Sequence, residues 1–248
     1  MNLTKNTVLI SGGSAGIGFE IAKLLTEKGN HVIITGRNQE RLDAAAAKLS
    51  NVTPLLFDVT NEDEVIQLVD QLKSKFPDLN MLINNAGLGH TYDLTDNQEA
   101  WKKAAEEMNT NYISLIRLTE KLLPQLLEQK ESAIVNVTSI TAFAPSIKIP
   151  TYSASKAALH SYTEGLRLAL KDSVVKVFEL MPPLVDTEFS REIGGKENGI
   201  SPVVVATDLT DALEANTYEI HVGATAQIFA LTRTSPQAAL YAMNGIQE

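Results

Sequence analysis

Tyr152 and Lys156 stand four residues apart in the segment Tyr-Ser-Ala-Ser-Lys. On a helix that spacing is one turn, so the phenol and the ammonium share a face. A phenol ordinarily titrates near ~10. A neighbouring ammonium favours the phenolate and brings the group towards use as an acid or base near neutrality. Such a pair is not specific by itself. Ser139, thirteen residues earlier, adds a hydroxyl just beyond the apolar run 133–138. Strand ends of that kind are where open α/β sheets place their ligands. The chemistry these three side chains could share is proton transfer.

A second candidate site lies near the N-terminus, where Ser11-Gly12-Gly13-Ser14-Ala15-Gly16-Ile17-Gly18 follows an apolar run and opens a helical stretch. Glycines let the backbone pass close to a pyrophosphate, and a helix N-terminus offers free N–H groups and a positive dipole end. The spacing of Gly12, Gly16 and Gly18 is one residue longer than the common dinucleotide fingerprint. About twenty residues on, an NAD-binding chain would carry an acid for the ribose 2′-hydroxyl. Here the segment reads Thr35-Gly36-Arg37-Asn38. The acid is missing and a guanidinium follows, which suits a 2′-phosphate. The expected cofactor is therefore NADP (NADPH) in preference to NAD, with Arg37 as main contact and Ser14 and Asn38 as neutral donors.

These residues need elements to hold them. Apolar runs at Thr7–Ser11, 31–35, 54–57, 81–84, 133–138, 174–180 and 218–222 are continuous, as parallel strands buried on both faces require. Amphipathic stretches at 16–28, 39–49, 62–76, 100–129, 152–171 and Pro202–Ala215 separate them. Asn61 is an expected N-cap with Glu64 in capping-box position, and Pro124 predicts a kink or a break near Leu123. Alternation without a linker implies an α/β fold: one doubly wound domain over residues 1–248. Residues 182–201, rich in proline and glycine, interrupt the rhythm and read as a loop or a lid.

Composition excludes several function classes. With a net charge of −9 and no basic run, neither nucleic acid nor an anionic membrane is an expected partner. The absence of cysteine removes disulfides, thiolate nucleophiles and Cys-ligated zinc. His31, His90, His160 and His221 are scattered, so no metal site is expected. No signal-peptide pattern opens the chain and no apolar stretch reaches about 18 residues, so the expected location is cytoplasmic.

The combined motifs resemble the short-chain dehydrogenase/reductase family in its form of roughly 250 residues. The resemblance rests on Gly12-x-x-x-Gly16-x-Gly18, Asp58-Val59, Asn84-Asn85-Ala86-Gly87, Asn111, Ser139 and Tyr152-x-x-x-Lys156. Met181-Pro182-Pro183-Leu184-Val185-Asp186-Thr187 further looks like a bacterial oxidoreductase subgroup, that named for the D-alanyl-lipoteichoic-acid system. The resemblance implies a Rossmann domain with a mostly parallel seven-stranded sheet and helices on both faces. It implies that Tyr152 exchanges a proton with the substrate, that Lys156 tunes it and holds the nicotinamide ribose, and that Ser139 bonds the carbonyl oxygen. Asn111 would position a relay water. Cofactor contacts are implied at Gly12, Ser14, Gly16, Ile17 and Gly18, and for adenine at Asp58 and Val59. Others are Asn85, Ala86, Gly87, Val185 and Thr187, with Tyr152 and Lys156 themselves.

Two positions depart from the family pattern. Ser11 replaces a threonine, and Pro183 replaces a glycine, which removes an N–H and fixes φ. The expected activity is reversible reduction of a carbonyl on a small or medium-sized molecule. Residues 140–150 and 89–94 are the expected walls of a mostly apolar pocket. The alternatives are a nucleotide-sensing protein with little turnover and a 3-oxoacyl-carrier-protein reductase. An intact proton-transfer set counts against the first, and the lack of basic docking residues against the second. Helices 100–129 and 152–171 carry apolar residues (among them Leu115, Leu118, Leu122, Leu159 and Leu168) and are expected to pair in a homodimer or homotetramer. His160 is expected to be a packed histidine, Trp101 to cap or pack a helix, and Lys148 and Arg191 to be surface charges.

Overall fold

Thr7–Ser11 (β1) is buried at all five positions, as a strand covered on both faces must be. The computed structural model describes residues 1–96 and 99–247. From β1 the chain runs through α1 (Gly16–Glu27), β2 (His31–Gly36), α2 (Gln39–Ala46), β3 (Val52–Leu56), α3 (Glu62–Lys75) and β4 (Leu79–Asn84). It continues with α4 (Ala100–Met108), α5 (Ser114–Leu127), β5 (Ser132–Val137), α6 (Pro150–Ala169) and β6 (Val175–Met181). The remainder is a short α7 (Gly195–Asn198), α8 (Pro202–Ala215), β7 (Glu219–His221), α9 (Ala224–Thr234) and α10 (Pro236–Asn244).

All seven strands pair in parallel, in the order β3-β2-β1-β4-β5-β6-β7. The order reverses at β1/β4, the switch point at which such sheets open a crevice. On one face Ile21 and Leu25 of α1 and Val205 and Leu209 of α8 pack over Val8, Ile10 and Val32. On the other, Leu68 and Leu72 of α3, Leu118 and Leu122 of α5 and Leu159 of α6 cover Leu9, Leu82 and Ile134. Burying each such side chain contributes roughly 1.5–3 kcal/mol, which fixes the sheet ends that carry the polar residues.

Several local features follow from particular residues. Asn61 caps α3 by accepting from the Asp63 and Glu64 N–H groups at 3.1 and 3.3 Å. Glu64 reaches back further than a capping box requires and accepts from the Asp58 N–H at 2.7 Å. The helix does not break near Leu123. The 100–129 stretch is interrupted by a π-turn at Asn109–Ile113, and α5 runs through Pro124 to Leu127. Glu120, whose carbonyl Pro124 cannot serve, lies on the exposed face. At the π-turn the Ser114 hydroxyl instead donates to the Asn109 carbonyl at 2.6 Å.

Other expectations are corrected. Leu115, Leu118, Leu122 and Leu159 face the core, so the apolar residues left outside on these helices are Trp101, Ile113, Leu127 and Leu168. Trp101 is 70% exposed, with the Lys102 ammonium 5.4 Å from its ring. Residues 182–201 are not an open loop. A bridge between Val185 and Ile200 closes their neck around a 3₁₀ turn, Glu188–Ile193, and α7. Helices α9 and α10 lie beyond the elements read from the sequence; Pro236 at the first turn of α10 and the Ser235 cap on the Ala238 N–H mark its start. Among the described residues no helix is long and apolar enough to cross a membrane.

Candidate active site

The glycine turn between β1 and α1 adopts a backbone that side chains resist. Gly12 and Gly16 have φ of +69° and +56°. A Cβ on Gly18 would lie 2.4 Å from the Gly12 carbonyl oxygen, and one on Gly16 would lie 3.2 Å from the Thr187 methyl. Ala15, at the N-cap of α1, offers no side-chain acceptor, and the first turn holds no acid. The N–H groups there are thus left for an anion. Ser11 and Asn85 brace the turn. The Ser11 hydroxyl accepts from the Asn85 and Ala86 N–H groups at 3.0 and 3.1 Å, while the Asn85 amide donates to the Ser11 and Gly12 carbonyls at 3.1 and 2.9 Å.

Above this turn opens a cleft of about 360 Å³, lined among others by Gly12, Gly16, Ala86, Gly87, Lys156 and Thr187. Its free N–H groups and close-approach glycines fit a dinucleotide pyrophosphate. Ile17 lines the same cleft, whereas Asp58 and Val59 lie at the end of β3 outside its lining. The Asp58 carboxylate holds the Thr60 N–H and hydroxyl at 2.9 and 2.7 Å, and Val59 is buried in the core. Ser14 faces Gly36, where an added Cβ would sit 3.3 Å from its hydroxyl. Arg37 stands exposed and does not line the cleft. Arg41, one turn further on, does line it, 3.0 Å from the Glu188 carboxylate. Sequence reasoning stopped at the first basic residue after β2; the helical phase of α2 brings the second one in.

Four polar side chains converge where this cleft meets a second pocket. Pro150 starts α6, placing Tyr152 and Lys156 in its first two turns, facing β5. The Lys156 ammonium donates to the Val137 carbonyl at 2.7 Å and lies 5.6 Å from the centre of the Tyr152 ring. The Ser139 hydroxyl accepts from the Thr141 N–H and hydroxyl at 3.1 and 3.0 Å, leaving its own proton to donate. Asn111, fully buried at the π-turn, accepts from the Leu88 N–H at 2.7 Å and donates to the Leu88 carbonyl and the Ser155 hydroxyl at 2.7 and 2.9 Å. Its side chain therefore clamps the loop after β4 to α6.

The electrostatics differ from the sequence expectation. Burial pushes the Tyr152 phenol above its ordinary range; the Ser139 hydroxyl works against this and the Glu107 charge adds to it. Lys156 does not bring it down, because burial also disfavours the ammonium and lowers Lys156 to about 8, with the Glu179 carboxylate opposing. Burial thus holds Tyr152 as a neutral proton donor, whereas Lys156, at about 8, still carries its ammonium near neutral pH. Glu107 is itself buried, accepting from the His90 N–H at 2.7 Å with its second oxygen unpartnered among the described residues. Nothing in the sequence distinguished it from its helical neighbours Glu106 and Lys103.

The second pocket, about 550 Å³, meets the cleft at Tyr152. From the expected stretch 140–150, Ile140, Thr141 and the run 146–149 form one wall, and Val185 and Phe189 form another. Residues 89–94 do not line it. The opposite wall comes from the C-terminal helices through Ile228, Ala242, Met243 and Asn244, and Asn244 ties α10 to the Ile147 N–H and Pro145 carbonyl at 2.8 and 3.0 Å. Gly89 instead packs under the rings, where a Cβ would lie 2.8 Å from Phe189 and 3.2 Å from Tyr152. Lys148 is exposed at the pocket mouth, whereas Arg191 is exposed away from it.

Comparison with known proteins places this geometry. The family model described as short chain dehydrogenase matches residues 6–198. An uncharacterized oxidoreductase of Bacillus subtilis, DltE, is 40% identical over 224 residues, 89% of each chain. An uncharacterized oxidoreductase of Staphylococcus saprophyticus is 33% identical over 86% of this chain and 93% of its own. A short chain dehydrogenase of Burkholderia cenocepacia, solved in complex with NADP, superposes with a TM-score of 0.85 at 30% identity over 98% of both chains. A Burkholderia phymatum structure in complex with NAD reaches a TM-score of 0.87 over 100% of this chain and 98% of its own; at 20% identity it shows the fold alone. With the family pattern running through all of the cleft and the four converging side chains, the chain belongs to the short chain dehydrogenases, a family of oxidoreductases.

Proposed function

We propose that this protein is an NADP(H)-dependent oxidoreductase that interconverts a carbonyl and a hydroxyl on an apolar molecule of small or medium size. The observation that carries the reading is the position of Tyr152, which borders both the dinucleotide-sized cleft and the apolar pocket, with Lys156 on one side and Ser139 on the other. Bound in the cleft, the cofactor would supply or accept the hydride. Tyr152, protonated through burial, donates to the oxygen as negative charge develops there in reduction. Ser139 directs its free O–H at the same oxygen. Lys156 holds the cofactor ribose and its charge stabilises the phenolate left behind. Asn111 fixes the loop and α6 relative to one another and would position a relay water.

Gly12, Gly16 and the α1 N-terminus would hold the pyrophosphate. Ser14, Arg37 and Arg41 would hold the 2′-phosphate, Asp58 and Val59 the adenine side, and Asn85–Gly87, Val185 and Thr187 the nicotinamide side. The absence of an acid at Gly36 supports NADP, as does the NADP bound by the B. cenocepacia relative. Residues 182–201 form a cover that carries Phe189, 5.4 Å from the Tyr152 ring, over the junction. The test is a screen of aldehydes, ketones and quinones with NADPH and, in parallel, NADH. Oxidation of NADPH with an apolar carbonyl compound is expected, and an inactive enzyme that still binds NADPH would move the reading to a nucleotide sensor.

A further inference from the structure

Glu179 is a fully buried carboxylate on the strand next to the one that leads to Ser139, and the mechanism above gives it no part. Three donors converge on it. The Thr138 hydroxyl, one residue before Ser139, donates at 2.7 Å. His160 Nδ1 lies 2.9 and 3.0 Å from its two oxygens. Arg167 Nη2 lies 3.9 Å away while its other nitrogens are held by the Val177 carbonyl and Glu219. His160 is one helical turn beyond Lys156, so Glu179 grips the helix bearing Tyr152 and Lys156 with one tie and the strand end bearing Ser139 with the other.

We propose that Glu179 is a positioning residue for the proton-transfer set, holding α6 against the end of β5 through His160 and Thr138 while its buried charge steadies Lys156. The proposal rests on the assignment of Tyr152 and Lys156 above. A carboxylate suits the place better than an amide, because it is an acceptor on both oxygens and every group aimed at it is a donor. The charged and titratable groups around the pair are Lys156, Glu164 and Arg167 on α6 and Glu219 and His221 on β7. Phe143 and Phe229 close the remaining side, the former 4.9 Å from the His160 ring and 4.9 Å from Phe229. The carboxylate holds His160 above its ordinary value and works against the desolvation of Lys156.

The test compares Glu179→Gln and Thr138→Val with the wild type. In Glu179→Gln, loss of the charge should move the alkaline limb of the kcat/KM profile to lower pH. A tie displaced by a fraction of an ångström should lower kcat by about tenfold to a hundredfold, with NADPH affinity within about twofold. Thr138→Val keeps the charge and cuts the strand tie, so kcat should fall with the pH limb unmoved. Two titrations without turnover separate this idea from the assignment of function. The ring of His160 followed by NMR, and the ¹³Cε signal of Lys156, should both titrate lower in Glu179→Gln. A folded Glu179→Gln variant whose Lys156 and His160 titrate as in the wild type would overturn the proposal, as would unchanged kcat. If Glu179→Gln fails to fold, Thr138→Val decides: wild-type kcat there would overturn it.

Discussion

Replacing Arg37 and Arg41 with alanine, singly and together, is the sharpest probe of cofactor choice. A 2′-phosphate carries close to two negative charges, and a guanidinium can meet it with two parallel donors. A charge-assisted hydrogen bond is worth roughly 1.5–3 kcal/mol. Each single variant should therefore weaken NADPH about tenfold or more, since ~1.4 kcal/mol is a factor of ten. NADH lacks the phosphate and should change by less than about twofold. The Arg41–Glu188 pair in the free protein does not alter this arithmetic. Both partners are more than half exposed, and such pairs contribute at most about 1 kcal/mol. Gly36→Asp adds the converse: its side chain starts beside the Ser14 hydroxyl, so its carboxylate would repel the phosphate and accept from a 2′-hydroxyl. The assay is a set of dissociation constants for both cofactors at two fixed ionic strengths, with the arginine effect shrinking as salt rises. Equal weakening of NADPH and NADH, or a wild type that prefers NADH, would refute the reasoning.

Three further outcomes are expected. Gly89→Ala should lower kcat by about tenfold with cofactor affinity kept, because the new methyl must displace Phe189 or the Tyr152 ring by several tenths of an ångström; unchanged kinetics would remove Gly89 from the site. Because Glu179 raises His160 above 6.5 in the folded chain, its protonation stabilises the fold fully below about pH 6.5 and the gain is lost as pH rises through the folded value; the Tm difference between wild type and His160→Phe should shrink accordingly on going alkaline, and a pH-independent difference would exclude the linkage. The exposed Leu168, Ile113 and Trp101 on the outer helices should lie in a two-fold contact, so light scattering at micromolar concentration should give a dimer or tetramer that Leu168→Glu dissociates, and a monomeric wild type would refute this.

The sheet was legible because its strands are continuous apolar runs, and the glycine turn because its geometry has few sequence solutions. Tyr152, Lys156 and Ser139 could be read as a group since each follows or opens an element whose end faces the crevice. What escaped depends on packing that spacing alone does not encode. Arg41 enters the cleft through the phase of α2, and Glu107 and Glu179 differ from solvated acids only by what buries them. Pro124 is accommodated because the Glu120 carbonyl it leaves free lies on the exposed face, whereas the π-turn at Asn109–Ile113 carries Asn111, whose side chain reaches both Leu88 and Ser155. Helices α9 and α10 have a weak apolar stripe, since one of their faces lines the pocket and has no core to cover.

Proton donation by Tyr152 is the step on which the proposed chemistry depends. Steady-state oxidation of NADPH with an accepted carbonyl compound should fall about 10²–10⁴-fold in Tyr152→Phe, which keeps the ring that packs on Phe189 and deletes only the hydroxyl. NADPH affinity should stay within about twofold, so the loss appears in kcat. A Tyr152→Phe enzyme that keeps more than about a tenth of wild-type turnover would contradict the account.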